Sequence, residues 1–350
     1  MDPRILSVGT ALPPHVYTQE VVKARTAAVF ARSSETADLL SIFDNAGVLR
    51  RHFVRDADFY LAKPGFRERN RVYLEEAVRL GAEAVRNACA RAAVEPREVG
   101  HIIFVSTTGV ATPSPDAFLV GELGLRQDVL RTPLFGVGCA GGAVALSRAA
   151  SFARLDPGAL IAVVAFEACS LTFLQDDLTP KNVVATALFG DGAAAALVAG
   201  GELAAGRGAA LVASHSHLFP RTPDYMGWEV SEHGLELVLS PRVPVLVGAE
   251  LPGLARAFLA RRGLKVGDIS RFVFHPGGPR ILEAVAAGLG VAREALAPTW
   301  NFLANHGNLS SASLLFVLET VLAAGPSAGE RGLAVAFGPG FAAEMLLLNW

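Results

Sequence analysis

Two stretches of sequence with one pattern, separated by 170 residues, decide the fold. The first, "AVEPREVGHIIFVSTTG", occupies Ala93–Gly109, and the second, "GLKVGDISRFVFHPGG", occupies Gly263–Gly278. Each begins with an acidic turn, continues as a short apolar segment typical of a buried strand, and ends in small residues. Aligned without gaps, Phe104 coincides with Phe274. The pattern predicts two halves that repeat one order of secondary-structure elements.

The segments around these stretches repeat as well. A helical pattern precedes each one, and about thirty residues later each half has a loop and an apolar helix, "FGVGCAGGAVAL" and "ANHGNLSSASLL". A further apolar strand follows at Gly158–Glu167 and at Arg331–Gly340, and its non-alternating composition indicates helices on both faces. We therefore predict a duplicated α/β fold with an N-terminal half at residues 1–200 and a C-terminal half at residues 201–350.

Composition excludes several classes of function. The chain is 51% hydrophobic with a formal net charge of −2, and its arginines are dispersed, which does not indicate a nucleic-acid-binding protein. The start resembles no secretory signal, and no stretch has the roughly 18 to 20 consecutive apolar residues that span a bilayer, so we expect a cytoplasmic protein without a membrane span. Three widely spaced cysteines predict neither a disulfide framework nor a metal site.

In a duplicated fold, corresponding loops converge near the pseudo-twofold axis. Cys139 follows a glycine-rich loop of the first half, whereas His275 and Asn308 occupy loops of the second half, so we expect these three side chains to meet. A cysteine at the start of a helix experiences the positive end of the helix dipole, which favours the thiolate. Alternatively, the cysteine is a small buried residue, the histidine a structural strand end and the asparagine a turn former.

A Cys, His and Asn set serves two chemistries. In a cysteine protease, the asparagine orients the histidine as a base. In a condensing enzyme, histidine and asparagine donate hydrogen bonds to the enolate that forms when a malonyl thioester loses carbon dioxide, and the cysteine holds the acyl group that the enolate attacks. The order of the residues in the sequence does not decide between the two.

Five ordered motifs resemble one family, the type III polyketide synthases, which are chalcone synthase-like enzymes of the thiolase superfamily. The motifs are "GVGCAGGA", "ATALFGDGAAAALV", "FHPGGPRIL", "HGNLSSASLLFVLE" and "AFGPGFAAEMLLL". The resemblance implies a homodimer of five-layered αβαβα subunits. It also implies repeated decarboxylative condensation of malonyl-CoA onto an acyl-CoA starter, with no cofactor beyond these substrates.

The same resemblance assigns roles to residues. Cys139 matches the acyl-accepting nucleophile, His275 and Asn308 match the donor pair, and Phe189 matches an aromatic gate between the CoA tunnel and the cavity. An apolar ring at the gate disfavours the malonyl carboxylate relative to neutral carbon dioxide. Without the motif, Phe189 is interpreted as an ordinary core residue.

Departures from the plant enzymes bear on the product. Leu237 stands at the second gate position, Trp228 replaces a small cavity residue, and Cys169 with Thr172 matches the cavity lining of bacterial enzymes that make alkylpyrones or alkylresorcinols. We expect an obstructed phenylpropanoid pocket and a separate tunnel for an aliphatic chain. The resemblance also implies that six further residues line the cavity, with one of them, Thr112, reaching the neighbouring subunit: Thr107, Thr112, Ser310, Gly338, Pro339 and Gly340.

The phosphate-binding positions of the family also differ. Basic residues of the plant enzymes align with Leu39, Ile42 and Ala46. Arg50 and Arg51 are our candidates for CoA contacts, because guanidinium groups suit phosphate. A second arginine pair, at positions 67 and 69, is an alternative, and a carrier protein as starter donor is another.

Two other functions share parts of this pattern. A ketoacyl synthase III-like enzyme would perform a single condensation, although it usually has Gln-Ala-Asn after its histidine, where His275 here precedes Pro-Gly-Gly. A catalytically inactive partner subunit is a further alternative, which retention of all three candidate residues argues against. Starter length, the number of extensions and the choice between lactone and aldol closure are not determined by the sequence.

Overall fold

The computed structural model describes residues 1–30, 36–177 and 179–350. Short 3-10 turns connect several of the elements. The strands are β1 (Arg4–Ala11), β2 (His15–Thr18), β3 (Arg50–Phe53), β4 (His101–Val105), β5 (Leu130–Leu134), β6 (Leu160–Ala168), β7 (Asp191–Ala199), β8 (Ala209–Leu218), β9 (Met226–Ser231), β10 (Gly234–Leu239), β11 (Arg271–Phe274), β12 (Arg331–Gly338) and β13 (Ala342–Asn349). The helices are α1 (Gln19–Phe30), α2 (Thr36–Asn45), α3 (Ala57–Leu61), α4 (Phe66–Ala92), α5 (Pro115–Leu123), α6 (Gly141–Leu155), α7 (Pro180–Leu188), α8 (Gly201–Ala204), α9 (Val243–Ala260), α10 (Pro279–Leu289), α11 (Ala297–His306) and α12 (Ser313–Ala323).

The predicted duplication is visible in the strand order. Nine strands run in the order β11-β12-β13-β8-β1-β7-β6-β4-β5, and the two halves of this order mirror one another. In the first half β4 pairs parallel with β6, and β7 pairs antiparallel with both β6 and β1. In the second half β11 pairs parallel with β12, and β13 pairs antiparallel with both β12 and β8. Among the residues that the structure describes, the second half of this order has no counterpart of the edge strand β5.

The halves join through β1 and β8, which pair antiparallel over Arg4↔Ala210 and Ile5↔Ala209. This seam marks the pseudo-twofold axis. The two diagnostic stretches adopt the same structure, since a 3-10 turn at Pro96–Glu98 precedes β4 and one at Val266–Asp268 precedes β11. The prediction of a duplicated α/β fold is therefore confirmed.

Three hydrophobic cores separate five layers, which are two outer layers of helices, two layers of strands and a central layer of helices. The outer core of the first half packs α4 and α5 against one face of its strands, and the outer core of the second half packs α9 and α10 against its own strands. Between them, α6 and α12 fill a central core that both sets of strands cover. Strand β6 is buried at every position, as its unbroken apolar composition predicts.

By length and composition alone, one helix in the described part of the chain, α9, passes as a membrane span. Glu250 and Arg256 interrupt its apolar run. Its buried positions, which include Val247, Leu251 and Phe258, pack in the outer core of the second half. A core helix of this kind satisfies the same criteria, so α9 is explained by its packing.

Candidate active site

Cys139 lies in a 3-10 turn, Gly138–Ala140, that leads directly into α6. Two positions at this turn require glycine. Gly138 has φ +48°, and a Cβ there would lie 2.4 Å from Cδ of Pro339. A Cβ on Gly338 would likewise lie 2.4 Å from the carbonyl oxygen of Val137. The end of β12 thus packs directly on the cysteine turn, which places Gly338 and Pro339 next to the candidate nucleophile.

Asn308 and Ser310 meet this turn from the second half. Cys139 Sγ lies 3.5 Å from Ser310 Oγ, and the Asn308 side chain also hydrogen-bonds the sulfur. Asn308 Oδ1 accepts hydrogen bonds from Ser310 N at 2.8 Å and from Ser313 Oγ at 3.4 Å. Because its oxygen is engaged in this way, the amide presents its N–H group to the site.

Backbone bonds connect Asn308 to the gate position. Asn308 N donates to the Leu188 carbonyl at 2.8 Å, and Gly190 N donates to the Asn308 carbonyl at 3.1 Å. Phe189 lies between these two bonds and forms an isolated bridge with Asn308. The candidate gate and the candidate donor, which are far apart in sequence, are therefore fixed to one another.

His275 follows the last residue of β11, and its backbone N–H donates to the Val335 carbonyl of β12 at 2.8 Å. The ring is buried, and neither ring nitrogen has a hydrogen-bond partner among the residues that the structure describes. Burial lowers the pKa of His275 to about 3, so the imidazole is neutral at physiological pH. A neutral ring has one donor and one acceptor nitrogen, and both remain available to a substrate.

Ionisation of Cys139 differs from the expectation. Burial raises the pKa of the Cys139 thiol to about 11, and the nearby Glu167 carboxyl acts in the same direction. Hydrogen bonds from Ser310 and Asn308 only partly offset this rise. The expected preference for the thiolate is wrong for the resting protein, because desolvation outweighs the helix terminus.

Glu167 is a site residue that the sequence analysis missed. It is the penultimate residue of β6, is fully buried, and accepts hydrogen bonds from Thr107 N at 3.1 Å and from Thr108 Oγ1 at 2.8 Å. Ser311 also donates to it, from the second half. Burial raises the pKa of this carboxyl. The signal available in the sequence was a lone acidic residue in an otherwise apolar strand.

Cys169, Thr172 and Phe189 line one cavity, which opens to solvent. Its walls are mainly apolar and come chiefly from α1, β3, α3, the turn after β6 and α7. Representative lining residues are Val22, Val29, Phe53, Leu61, Phe173 and Ala185, with Arg25 and Gln175 adding polar groups.

The two remaining specificity positions lie elsewhere. Trp228 on β9 and Leu237 on β10 are directly opposite one another in a two-stranded hairpin. Both are partly buried, and neither lines the apolar cavity just described. Leu235 of the same hairpin lines a smaller pocket together with Thr172. The obstructing role expected for the indole therefore stays a prediction.

The candidates for CoA contacts separate into exposed and buried residues. Arg51 is completely buried and donates to the carbonyls of Thr186 and Phe189, so its guanidinium is inaccessible to a phosphate from solvent. Burial lowers its pKa to about 9. The assignment of Arg51 to CoA binding is therefore wrong, whereas Arg50 is exposed. Of the alternative pair, Arg67 is exposed, while Arg69 is buried and donates to the Leu171 carbonyl at 2.8 Å.

Two further predicted cavity residues have distinctive backbone settings. Thr112 is exposed and precedes Pro113 through a cis peptide bond, and its reach to a neighbouring subunit stays a prediction. Gly340 has φ +129°, and Phe341 after it donates its N–H to the Thr222 carbonyl at 3.0 Å.

Family models for the chalcone and stilbene synthases match the chain, the N-terminal domain at residues 2–202 and the C-terminal domain at residues 210–350. A 1,3,6,8-tetrahydroxynaphthalene synthase of Streptomyces peucetius is 39% identical over 99% of this chain and 93% of its own length. A putative chalcone synthase of Bacillus subtilis is 38% identical over 99% and 98%. The alpha-pyrone synthesis polyketide synthase-like Pks18 of Mycobacterium tuberculosis is 30% identical over 99% and 90%.

Solved structures agree with these matches. The tetrahydroxynaphthalene synthase of Streptomyces coelicolor, described as a bacterial type III polyketide synthase, superposes with a TM-score of 0.94 at 32% identity, covering 99% of both chains. A fungal type III polyketide synthase superposes with a TM-score of 0.89 at 28% identity, covering 100% of both. The resemblance drawn from the five motifs is confirmed: the chain belongs to the chalcone and stilbene synthase family and is a type III polyketide synthase.

Proposed function

We propose that the protein loads an acyl-CoA starter onto Cys139, extends it repeatedly with malonyl-CoA and closes the product to an alkylpyrone or alkylresorcinol. The observation that carries the alkyl part of this proposal is the cavity beside Cys169 and Phe189. Its aliphatic and aromatic walls match an acyl chain, because burying each methylene contributes about 0.8 kcal/mol.

Loading begins from neutral groups. The Cys139 thiol attacks the carbonyl carbon of the starter thioester, and its proton passes to the acceptor nitrogen of neutral His275. The bond to the CoA sulfur breaks, and CoA leaves after taking up a proton. The starter is then held as a thioester on Cys139.

Extension uses the two donors. As malonyl-CoA loses carbon dioxide, the N–H groups of His275 and Asn308 donate to the thioester oxygen, which becomes an enolate. The fixed orientation of the Asn308 amide, with its oxygen held by Ser310 and Ser313, supports this role. The enolate carbon attacks the acyl carbon on Cys139, the bond from that carbon to Sγ breaks, and the lengthened chain is now a CoA thioester. For another cycle the Cys139 sulfur attacks this thioester, and CoA leaves again.

The relatives carry the names of several products, including a tetrahydroxynaphthalene and an alpha-pyrone. The products that this protein forms test which class of product is correct. Pure protein with malonyl-CoA alone, and with butyryl, octanoyl, palmitoyl or coumaroyl-CoA, should give pyrones or resorcinols from fatty starters by mass spectrometry. Preference for coumaroyl-CoA, or a naphthalene product from malonyl-CoA alone, would contradict the alkyl assignment. One condensation only, or turnover only with a carrier protein, would favour the ketoacyl synthase or carrier-fed alternative.

The proposed assembly is a cytoplasmic homodimer in which Thr112 contacts the neighbouring subunit. The exposure of Thr112 supports this arrangement. Light scattering of the purified protein should give twice the 36.6 kDa chain mass. A monomer with full activity would contradict the dimer.

A further inference from the structure

A chain of hydrogen bonds connects the apolar cavity to a buried carboxyl that the condensation steps leave unused. Tyr60 Oη lies 2.6 Å from Ser170 Oγ, and Ser170 Oγ donates to the Asp191 carboxylate. Asp191 is fully buried and accepts from Val54 N and Ser170 N, both at 2.8 Å. Tyr60 and Ser170 line the cavity together with Cys169 and Phe189.

We propose that Tyr60, Ser170 and Asp191 form a proton relay that accepts the enol proton of the extended intermediate during lactone closure. We assign Tyr60 as the catalytic residue of the relay, because it lines the cavity proposed for the substrate, and the other two residues act through it. The inference rests on the proposed function, since it assigns the base for one of the two closures considered there.

Hydrogen-bond direction supports an accepting role. When Asp191 is ionised, Ser170 donates to it and Tyr60 donates to Ser170. The Tyr60 oxygen also accepts the Arg55 backbone N–H, so its remaining lone pair accepts from an enol hydroxyl. The enol proton moves to Tyr60, the tyrosine proton moves to Ser170, and the serine proton moves to Asp191. The enol oxygen forms a bond to the thioester carbon, the bond to Cys139 Sγ breaks, and the thiolate takes a proton from water while Asp191 releases one.

The electrostatic surroundings make Asp191 a suitable terminal acceptor. Burial raises its pKa to about 7, with Glu76 of α4 acting in the same direction. The other ionisable groups that interact with it are Arg51 of β3, Tyr60 of α3 and Cys169 after β6. Burial raises the pKa of Tyr60 well above its usual value, so the phenol transfers a proton without remaining ionised. The relay is therefore active above a pH of about 7, where Asp191 is ionised.

The test compares Tyr60→Phe and Ser170→Ala with Tyr17→Phe. Tyr17 is a matched control, since it lines the same cavity but its hydroxyl accepts from Ala57 N at 2.9 Å. With octanoyl-CoA and malonyl-CoA, the ratio of lactone to linear acids should rise through pH 7 in the unaltered protein. It should fall at least about tenfold and lose this rise in the two relay variants. Acylation of Cys139 should persist in all forms.

A binding measurement separates this inference from the proposed function. Octanoylacetone, an enolised β-diketone with an alkyl tail, should bind the resting protein more tightly above pH 7, and Tyr60→Phe and Ser170→Ala should abolish that pH dependence. If no form condenses malonyl-CoA, the proposed function fails, and octanoylacetone binding still decides the relay. Unchanged lactone ratios, or octanoylacetone binding with one pH dependence in all four proteins, would overturn it.

Discussion

At the scale of single residues, burial shifts the pKa values of Cys139 and His275 in opposite directions, and both shifts favour the neutral side chain. It raises the pKa of Cys139 to about 11 and lowers that of His275 to about 3. A resting thiolate–imidazolium pair is therefore disfavoured, and proton transfer accompanies nucleophilic attack. The Cys139 side chain is only partly buried, so its protection from solvent reagents comes from the protonated state of the sulfur.

Alkylation of Cys139 measures this protection. Below its pKa the thiolate fraction rises tenfold per pH unit, so the iodoacetamide reaction rate should rise about tenfold per unit between pH 7 and pH 9. At neutral pH the rate should be roughly a hundredfold below that of glutathione, whose thiol has an ordinary pKa. Peptide mass spectrometry identifies the modified residue. A rate that levels off below pH 8 would show that the thiol ionises readily.

Replacing the nucleophile should separate two steps. Cys139→Ala should reduce polyketide formation on the order of a thousandfold, because no thioester can form on the enzyme. Decarboxylation of malonyl-CoA to acetyl-CoA should continue, since His275 and Asn308 remain. Liquid chromatography of the CoA esters measures both. Cys89→Ala, in the buried face of α4, is the control and should retain condensation; condensation by Cys139→Ala would contradict the assignment.

The buried arginine should matter for stability rather than for CoA affinity. Arg51→Met removes the donor to the Thr186 and Phe189 carbonyls and should lower the free energy of unfolding by about 1–3 kcal/mol. Arg50→Met, at the exposed neighbouring position, should leave stability unchanged and raise KM for acyl-CoA. Urea unfolding and initial rates measure the two effects. The reverse assignment of effects would restore Arg51 as a phosphate ligand.

At the scale of secondary-structure elements, the site depends on close packing between the starts of α6 and α12. A Cβ on Gly142 would lie 2.6 Å from the Ser311 carbonyl oxygen, and one on Gly141 would lie 2.9 Å from Ser311 Cβ. Ser311 occupies the middle of its 3-10 turn, as Cys139 does in the first half. The two turns are thus related by the duplication and pack against each other.

A single methyl group tests this packing. Gly142→Ala should lower the free energy of unfolding by about 3 kcal/mol, because the clash is with backbone that has little room to move. Gly121→Ala is the matched control, since a Cβ there meets nothing within 4 Å and should raise stability by about 0.5–1 kcal/mol. Urea unfolding measures both. Equal stabilities would show that the turns are farther apart than described.

The sequence predicts secondary-structure elements better than it predicts the burial and hydrogen-bond partners of single side chains. Strands β6 and β12 are predicted by their apolar composition. The duplication is predicted by the two stretches at Ala93–Gly109 and Gly263–Gly278. The burial of Arg51 was not predicted, although side chains alternate along a strand and Arg50 and Arg51 therefore lie on opposite faces of β3. Glu167 was missed because its significance lies in partners from other segments, Thr107 and Ser311, which only the folded chain brings together.

At the scale of the whole molecule, the site lies where the halves meet. Cys139 comes from the first half, and Asn308, Ser310 and His275 come from the second. From the duplication, the sequence predicts that Cys139, His275 and Asn308 meet. Asn308 hydrogen-bonds the Cys139 sulfur, and the approach of His275 to them stays a prediction. The sequence did not predict the missing counterpart of β5 or the position of the apolar cavity. Both depend on the packing of side chains and of long loops.

The backbone bonds between Leu188, Gly190 and Asn308 have a consequence for partial unfolding. They cross from one half to the other beside Phe189. Separating the halves therefore breaks the bonds that hold the proposed donor Asn308 and the proposed gate Phe189 in one event, so a half-open molecule loses both proposed functions together.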